Sequence, residues 1–392
     1  MTVLLIVMAG FFLAAGGMMY APVMPLHAIE LGAPAWVGTA IPMGLPSLVA
    51  ILFLLPIGLI ADNTGKRKEL LMFAALLTVL ANIGLGLFAD SWASLTILRL
   101  ISGIPFAFMS MFGVILAFVL PAEKRGMAMG LGLGGAMLGM GLFQAISGTL
   151  LEMLGGSFSN LYFFAAGVTL LSFLCLLPAK VPVVKSTARI SGKEFREVLS
   201  NRYIIVTGVT VCVYLVGWQM LYGSFPVVVT NILGASVQLQ TVLFAVASIM
   251  LGFGTIIWGP VIDKLGGRNT LLLGISVSVI AIGVMILVSE LLWPYVLLFW
   301  IATLGGVCGA PASTTIATKS VKKELTTVAA NFMFIFVALT GILGGFAAGP
   351  VISALGLAGM LTIAAVAGII GVLLMLNIPS EIKTPEQTVA QK

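Results

Sequence analysis

The chain has 392 residues, of which 60% are hydrophobic and 8% are charged, and its mean hydropathy is +1.19. Water-soluble domains carry about 25% charged residues. The composition therefore excludes a soluble globular protein and indicates an integral membrane protein, with a formal net charge of +6.

Long apolar runs, separated by short charged or Gly/Pro-containing breaks, predict an all-α membrane protein with twelve transmembrane helices. A helix needs about 20 apolar residues to cross the hydrocarbon core of a bilayer. The runs are continuous rather than alternating, which excludes membrane-spanning strands. In chain order, the predicted spans 1 to 12 cover residues 3–30, 36–61, 69–88, 94–120, 126–150, 160–178, 203–230, 237–262, 270–288, 293–318, 326–354 and 356–378.

The basic residues lie on one side of this arrangement. Every Lys and Arg except Arg99 falls in the loops after spans 2, 4, 6, 8 and 10 or after span 12. By the positive-inside rule, both termini and the central loop are expected to be cytoplasmic, in a cell (inner) membrane. The net positive charge therefore reflects topology, and nucleic-acid binding is not expected.

A loop motif occurs twice, 201 residues apart, at the same point of two apolar halves. The first copy runs from Gly58 to Arg67 and the second from Gly259 to Arg268, and both follow the pattern Gly-x-x-x-Asp-x-x-Gly-x-Arg. The same offset relates Pro25 to Pro226, Trp92 to Trp293, Glu123 to Glu324, Gly148 to Gly349 and Gly155 to Gly356. Two copies of one membrane unit that face the same way indicate a secondary transporter, with a binding site between the halves at the bilayer midplane.

The predicted units are two six-helix bundles, a cytoplasmic linker between them and a cytoplasmic tail, which cover residues 1–178, 203–379, 179–202 and 380–392 respectively. Within the linker, the residues from Ser191 to Leu199 predict a short amphipathic helix, with Phe195 and Val198 among the side chains that face lipid. A solvated loop helix is the alternative.

These motifs resemble those of the major facilitator superfamily, and most of all those of its twelve-helix drug:proton antiporter branch. The resemblance rests on the loop after span 2, its weaker copy after span 8, and the segment Arg99-Leu-Ile-Ser-Gly103 in span 4. It covers essentially the whole chain and implies alternating access by a rocker-switch movement. The branch pattern Gly-Pro-x-x-Gly-Gly of span 5 is replaced here by Phe143-Gln144-Ala-Ile-Ser147-Gly148, which leaves proton antiport open.

The duplicated loops supply candidate gating residues. A carboxylate at the end of a span can accept backbone N–H groups or pair with a guanidinium. Arg67 with Glu123 and Arg268 with Glu324 are predicted pairs because both partners recur at the repeat offset. A charge cluster that only sets topology is the alternative. The gating candidates are Gly58, Asp62, Gly65, Arg67, Glu123, Asp263, Gly266, Arg268 and Glu324.

Arg99 lies inside span 4, where a centrally placed Arg costs about 2.5 to 3.5 kcal/mol on insertion scales. It is therefore expected to face a cavity or a polar partner, unless it reaches the near interface. His27 and Glu30 are one helical turn apart at the outer end of span 1 and form a candidate titrating pair; an interfacial His without that role is the alternative. Together these three residues are the candidate proton or anion site.

The resemblance implies that spans 1, 4, 7 and 10 line the cavity. Tyr214, Trp218 and Tyr222 are spaced by four on span 7, which suits stacking on a flat, partly apolar ligand or a cation. Ordinary helix packing also explains such a stripe. The cavity candidates are Tyr20, Ser102, Phe106, Gln144, Tyr214, Trp218, Tyr222, Trp300, Thr303 and Asn331.

The expected function is proton-coupled export of small amphipathic compounds. The expected partners are a small-molecule substrate, protons and membrane lipid, and the protein is expected to be a monomer. The sequence has no nucleotide-binding loop, metal-ligand cluster or catalytic triad, so no enzymatic activity, cofactor or metal is expected. Two alternatives stay open: an organic-anion or sugar transporter with Arg99 as the counter-charge, and a non-transporting sensor or lipid scramblase on the same fold.

Overall fold

The computed structural model of the chain describes residues 1–42, 44–109, 111–120, 125–183, 192–321 and 326–379. The helices of the first half are α1 (Thr2–Met18), α2 (Met24–Glu30), α3 (Ala35–Ala40), α4 (Gly44–Thr64), α5 (Arg67–Phe88), α6 (Trp92–Ile101), α7 (Gly103–Phe106), α8 (Met111–Val119), α9 (Arg125–Met153) and α10 (Phe158–Leu176). The remaining helices are α11 (Gly192–Leu199), α12 (Arg202–Val227), which continues into a π-helical turn (Val228–Ile232), α13 (Val237–Leu287), α14 (Leu292–Gly306), α15 (Gly309–Lys319) and α16 (Thr326–Met375).

Within these ranges the helices form the twelve predicted spans. Spans 3, 5, 6 and 7 are α5, α9, α10 and α12, and spans 1, 2, 4 and 10 each consist of two or three shorter helices. The helix α13 has 51 residues and α16 has 50, which is more than twice the length that one crossing needs. Each contains one glycine with non-helical backbone angles, Gly266 or Gly356, which divides α13 into spans 8 and 9 and α16 into spans 11 and 12.

The sequence repeat is also a repeat of backbone geometry. Gly65 and Gly266 have φ angles of 69° and 77°, and Gly155 and Gly356 have φ angles of 72° and 70°. Residues with a side chain rarely adopt this left-handed region. The paired glycines therefore make the same tight turns between spans in both halves.

The helices of spans 1, 2, 4 and 10 are interrupted. Span 2 is interrupted between α3 and α4, where Pro42 stands, and span 1 is interrupted between α1 and α2, before and at Pro22. Proline removes a backbone donor and clashes with the preceding turn, so a helix breaks there. Span 4 turns after Phe106 and span 10 turns at Val307, which are equivalent positions in the repeat.

Close glycine contacts join the two halves. Gly134, Gly141 and Gly148 are spaced by seven on the face of α9 that packs against α13. A Cβ built on Gly141 would lie 2.6 Å from Cγ1 of Ile249, and one on Gly148 would lie 2.7 Å from Oγ1 of Thr241. In lipid there is little hydrophobic drive for helix association, so small residues at the contact favour it by permitting close approach. The helix α16 packs in a similar way against α3 and α4.

The linker helix packs on protein, which corrects the prediction that its apolar side chains face lipid. Val198 is fully buried in a cluster with Ile204, Val321 and Met333. This cluster holds α11 against the ends of spans 7, 10 and 11. The side chain of Phe195 lies outside the described residues.

Charged residues mark the two ends of the bundle. Lys66, Lys264 and Lys319 lie at one end, which we call the basic end. Glu30 and Glu152 lie at the other, which we call the acidic end. Because consecutive spans are antiparallel, this separation agrees with the predicted alternation of loops.

The turn glycines give a stability test. Gly356→Ala is expected to cost about 1–3 kcal/mol, because φ 70° with ψ −179° is a region that only glycine adopts readily. Gly283→Ala is the matched control, since Gly283 lies inside α13 with open space where a Cβ would stand; this change is expected to be neutral or slightly stabilising. Thermal unfolding in detergent measures both. Equal unfolding midpoints for the two variants would contradict the left-handed turn.

Candidate functional site

Arg99 lies in α6 and is 1% exposed. Its Nε donates to the carbonyl oxygen of Ile41 at 3.0 Å, and its Nη2 donates to that of Pro42 at 2.8 Å. Its Nη1 donates to Oγ of Ser102 at 3.1 Å and to Oη of Tyr20 at 3.4 Å. The guanidinium therefore joins span 4 to spans 1 and 2, and among the described residues its hydrogen-bond partners include no carboxylate.

The sequence of span 2 explains why one of these carbonyls, that of Pro42, is available. Residue 46 is a proline and has no N–H, so the carbonyl of Pro42 has no donor at the α-helical position. An unpaired carbonyl is costly in the apolar interior of a membrane protein. Arg99 supplies the missing donor, and the charge is stabilised by the dipoles of several acceptors.

Tyr20 continues this network into span 3. Its hydroxyl donates to Oδ1 of Asn82 at 2.8 Å, and Nδ2 of Asn82 donates to the carbonyl of Gly16 at 3.0 Å. Asn82 was not among the predicted site residues. Asn82 could have been identified from the sequence as an amide side chain in the apolar part of α5, because a buried polar group needs a partner.

A second polar chain crosses between the two halves. Oη of Tyr222 lies 3.0 Å from Oγ of Ser248, and Ser248 donates to Oε1 of Gln144. Nε2 of Gln144 then donates to the carbonyl of Met18 at 3.1 Å. This carbonyl has no donor at the α-helical position, because residue 22 is a proline, and it accepts instead from the N–H of Ala21 at 3.1 Å. Spans 7 and 8 of one half are thereby linked to spans 5 and 1 of the other.

Aromatic rings surround Tyr222. The ring of Trp218 stacks on it with centroids 4.9 Å apart, and the ring of Phe244 lies 4.6 Å away. Nε1 of Trp218 has no hydrogen-bond partner within the part of the chain that the structure describes. Trp218 therefore combines a stacked face with a buried donor that is unpaired among these residues.

The other predicted residues of spans 7 and 10 lie within the packing of the second half. A Cβ built on Gly306 would lie 2.9 Å from Oη of Tyr214, which places Tyr214 against span 10. Nε1 of Trp300 donates to the carbonyl of Leu243 at 3.0 Å, and Thr303 bonds its own helix. Of the three aromatic residues spaced by four on span 7, Tyr222 belongs to the polar chain between the halves, Trp218 stacks on it, and Tyr214 packs in the core of the second half. The side chain of Asn331 lies outside the described residues.

Thr39 makes a third contact between the halves. Its hydroxyl donates to the carbonyl of Gly345 at 2.8 Å and accepts from the N–H of Gly349 at 3.0 Å. These two backbone groups would otherwise bond to each other within α16. Nearby, Trp36 stacks on Phe346 with ring centroids 5.5 Å apart. The hydroxyl of Thr39 in span 2 therefore takes the place of one backbone hydrogen bond of span 11, towards the acidic end.

His27 and Glu30, the candidate titrating pair, have different surroundings. The ring of His27 stacks on Phe158 at 4.1 Å, and Nδ1 lies 2.9 Å from Oη of Tyr162. Glu30 is exposed. The structure thus packs the imidazole against Phe158 and Tyr162 of span 6.

The predicted gates lie at the basic end. Arg67 is buried, and its guanidinium lies over the ring of Phe118 at 4.7 Å. In the second half, Asp263 is exposed and Nη1 of Arg268 donates to Oδ1 of Asn269 at 3.2 Å. Glu123, Glu324 and the side chain of Asp62 lie outside the described residues, so the predicted ion pairs stay predictions. Gly58 lies in α4, and Gly65 and Gly266 form the turns described above.

A family model of the Major Facilitator Superfamily matches residues 6–345, with a second match over 207–391. The chain belongs to the major facilitator superfamily. It is accordingly a multi-pass membrane protein of a transporter family and not an enzyme.

The sequence is similar to those of two kinds of transporter. The chain is 26% identical over 303 residues to "Multidrug resistance protein MdtG" of Proteus mirabilis (strain HI4320), with 73% of each chain covered. It is 27% identical over 234 residues to the "Synaptic vesicular amine transporter" of Mus musculus, with 58% of this chain and 43% of that protein covered. The chain thus spans less than half of the amine transporter's length.

A solved structure agrees with the fold of this major facilitator. It is the crystal structure of a bacterial homolog to the human lysosomal transporter Spinster, in an inward-facing and unoccupied conformation. The TM-score is 0.70 at 16% sequence identity, with 96% of this chain and 94% of that chain covered. The likeness supports the twelve-helix architecture.

The Arg99 network gives a second stability test. Arg99→Lys keeps the charge but replaces five N–H donors in a planar fork with three on one nitrogen. At least one buried carbonyl of span 2 is then left without a donor, which is expected to cost about 1–3 kcal/mol. Arg196→Lys, at an exposed position of α11, is the control. If both variants unfold in detergent at the wild-type temperature, Arg99 does not hold span 2.

Proposed function

We propose that the protein exports small amphipathic compounds by alternating access and is driven by proton antiport. The observation that carries the proposal is the interface between the repeated halves. It consists of close glycine contacts and a few hydrogen bonds, such as those of Thr39 and Gln144. Such contacts separate at a modest free-energy cost, which a rocker-switch movement requires.

The described polar contacts between the halves lie between the acidic end and the middle of the bundle, and the glycine contact of Gly134 with Ile256 lies beyond them. Gln238 donates to Glu152 at 3.0 Å at the acidic end, and Gln144 bonds Ser248 further in. These contacts support a conformation that is closed at the acidic end. Opening that end requires the breaking of the Thr39 and Gln144 hydrogen bonds.

The orientation follows from the distribution of charge. We infer that the basic end is cytoplasmic and that the protein resides in a cell (inner) membrane, because Lys and Arg favour the cytoplasmic side. In this orientation the described conformation is closed to the outside. The loops around Asp62 and Asp263 then lie at the cytoplasmic end, where we propose that they stabilise the outward-facing state.

Export of drug-like compounds rests on two kinds of support. One is the relative named as a multidrug resistance protein, which this chain matches over most of its length. The other is the interior itself, where Trp218 and Tyr222 form a stacked aromatic pair. Proton coupling is inferred from the resemblance of the Asp62 and Arg99 motifs to those of antiporters.

The alternative of an organic-anion or sugar transporter receives less support from the surroundings of Arg99. Its guanidinium already donates to backbone carbonyls and hydroxyls, so it has no uncommitted N–H group for a substrate carboxylate. The other alternative, a sensor or lipid scramblase on the same fold, would move no solute in a transport assay.

The coupling is tested in proteoliposomes with radiolabelled chloramphenicol, an uncharged amphipathic solute. Initial uptake is expected to be several-fold faster when the lumen is acidic, because protons leaving the lumen then drive solute entry through protein inserted inside-out. Nigericin, which collapses the gradient, should remove the difference, and protein-free liposomes are the control. Equal uptake with and without the gradient would exclude obligatory proton coupling.

A further inference from the structure

A methionine-lined cavity of about 50 Å³ lies within the first half of the protein. Its wall includes Met18, Phe106, Met109, Met137 and Met140. Methionine is flexible and polarisable, and its sulfur packs well against aromatic rings. The wall can therefore rearrange around an apolar group larger than the cavity itself.

The polar groups in this wall are already engaged. Thr78 donates its hydroxyl to the carbonyl of Ala74 at 2.8 Å, and Ser102 donates to the carbonyl of Arg99 at 2.7 Å. Arg99 has five N–H groups. Besides its four partners described above, Arg99 approaches Sδ of Met18 at 3.2 Å and the carbonyl of Gly17 at 3.4 Å. Six acceptors thus surround five donors, and no N–H group is left for an anionic ligand.

Among the described residues, those that line the cavity include no Asp or Glu, and one of them is the positively charged Arg99. A cation would enter a positive field without a counter-charge, and an anion would lose its hydration without gaining a hydrogen bond. Burial of an unpaired charge is strongly unfavourable. An uncharged apolar group avoids both costs.

We propose that this cavity is the subsite for the aromatic or other apolar ring of the substrate, and that the substrate is uncharged when bound there. The proposal rests on the proposed transport function and narrows its substrate class. The vesicular relatives are named for the transport of amines, and the proposal does not assign charged amines to this chain as substrates. The methionines supply affinity, and Arg99 acts through its field as a positioning and charge-excluding residue.

The test uses three probes that share one ring system and differ in charge. They are 4-biphenylmethanol, 4-biphenylmethylammonium and biphenyl-4-carboxylate, and each competes with the neutral fluorophore N-phenyl-1-naphthylamine for the purified full chain in detergent. The alcohol is expected to displace the fluorophore at a concentration at least tenfold lower than either ion. Equal or tighter binding of the ammonium or the carboxylate overturns the proposal, as does failure of the alcohol to compete.

Variants locate the subsite. Met109→Gln keeps the side-chain length but adds a polar amide, and is expected to weaken binding of the alcohol at least about fivefold. Met109→Leu, which stays apolar, should bind within twofold of wild type and shows that the position tolerates substitution. Met153→Gln is the matched control, since Met153 is 79% exposed at the end of α9. Equal weakening by Met153→Gln, or none by Met109→Gln, excludes this cavity.

The transport proposal and the subsite proposal can be contradicted independently of each other. If the alcohol binds selectively and depends on Met109 but no solute moves in proteoliposomes, the subsite stands and the transport proposal is wrong. If solutes move but the ammonium probe is preferred, transport stands and the uncharged-substrate proposal is wrong.

Discussion

Backbone groups inside a bilayer need a hydrogen-bond partner, and this constraint organises the centre of the molecule. Prolines lie at the breaks in spans 1 and 2. The carbonyl of Pro42 is left without its α-helical donor, while that of Met18 accepts from the N–H of Ala21 at 3.1 Å instead. Arg99 supplies the donor for Pro42, and Gln144 gives the carbonyl of Met18 a second donor, both from other spans. Thr39 performs a similar role in span 11. Breaks in the helices are therefore also places where separate spans are joined.

This arrangement also determines what the interior can bind. Because the donors of Arg99 are used to hold spans 1 and 2, its charge acts on a ligand only through space. In the other half, Nε1 of Trp218 has no hydrogen-bond partner among the described residues, and its ring stacks on Tyr222. The interiors of the two halves thus differ, with a methionine-lined cavity in the first and a buried aromatic pair in the second, although both halves derive from one repeated unit.

The sequence was sufficient to predict the twelve spans and the repeat that pairs the glycines now found in turns, because hydropathy and a fixed repeat offset are properties of the chain itself. It also indicated Arg99 and Gln144, since polar residues in apolar spans need partners. Their backbone partners could not be predicted, because the packing of the spans determines which carbonyls lie beside these side chains. The orientation of Val198 was missed for a related reason: spacing shows which residues share a helix face, but not whether lipid or protein covers that face.

Alternating access requires the acidic end to open and close, and a reversible cross-link there tests it most directly. Glu152→Cys and Gln238→Cys replace a hydrogen-bonded pair that joins the halves, in a chain whose native Cys175, Cys212 and Cys308 are changed to alanine. A short bifunctional methanethiosulfonate should cross-link the pair and stop solute transport in proteoliposomes, and a reducing agent should restore it. Each single-cysteine variant should keep transporting after the same treatment. Full transport by the cross-linked double variant would contradict movement of the halves at this interface.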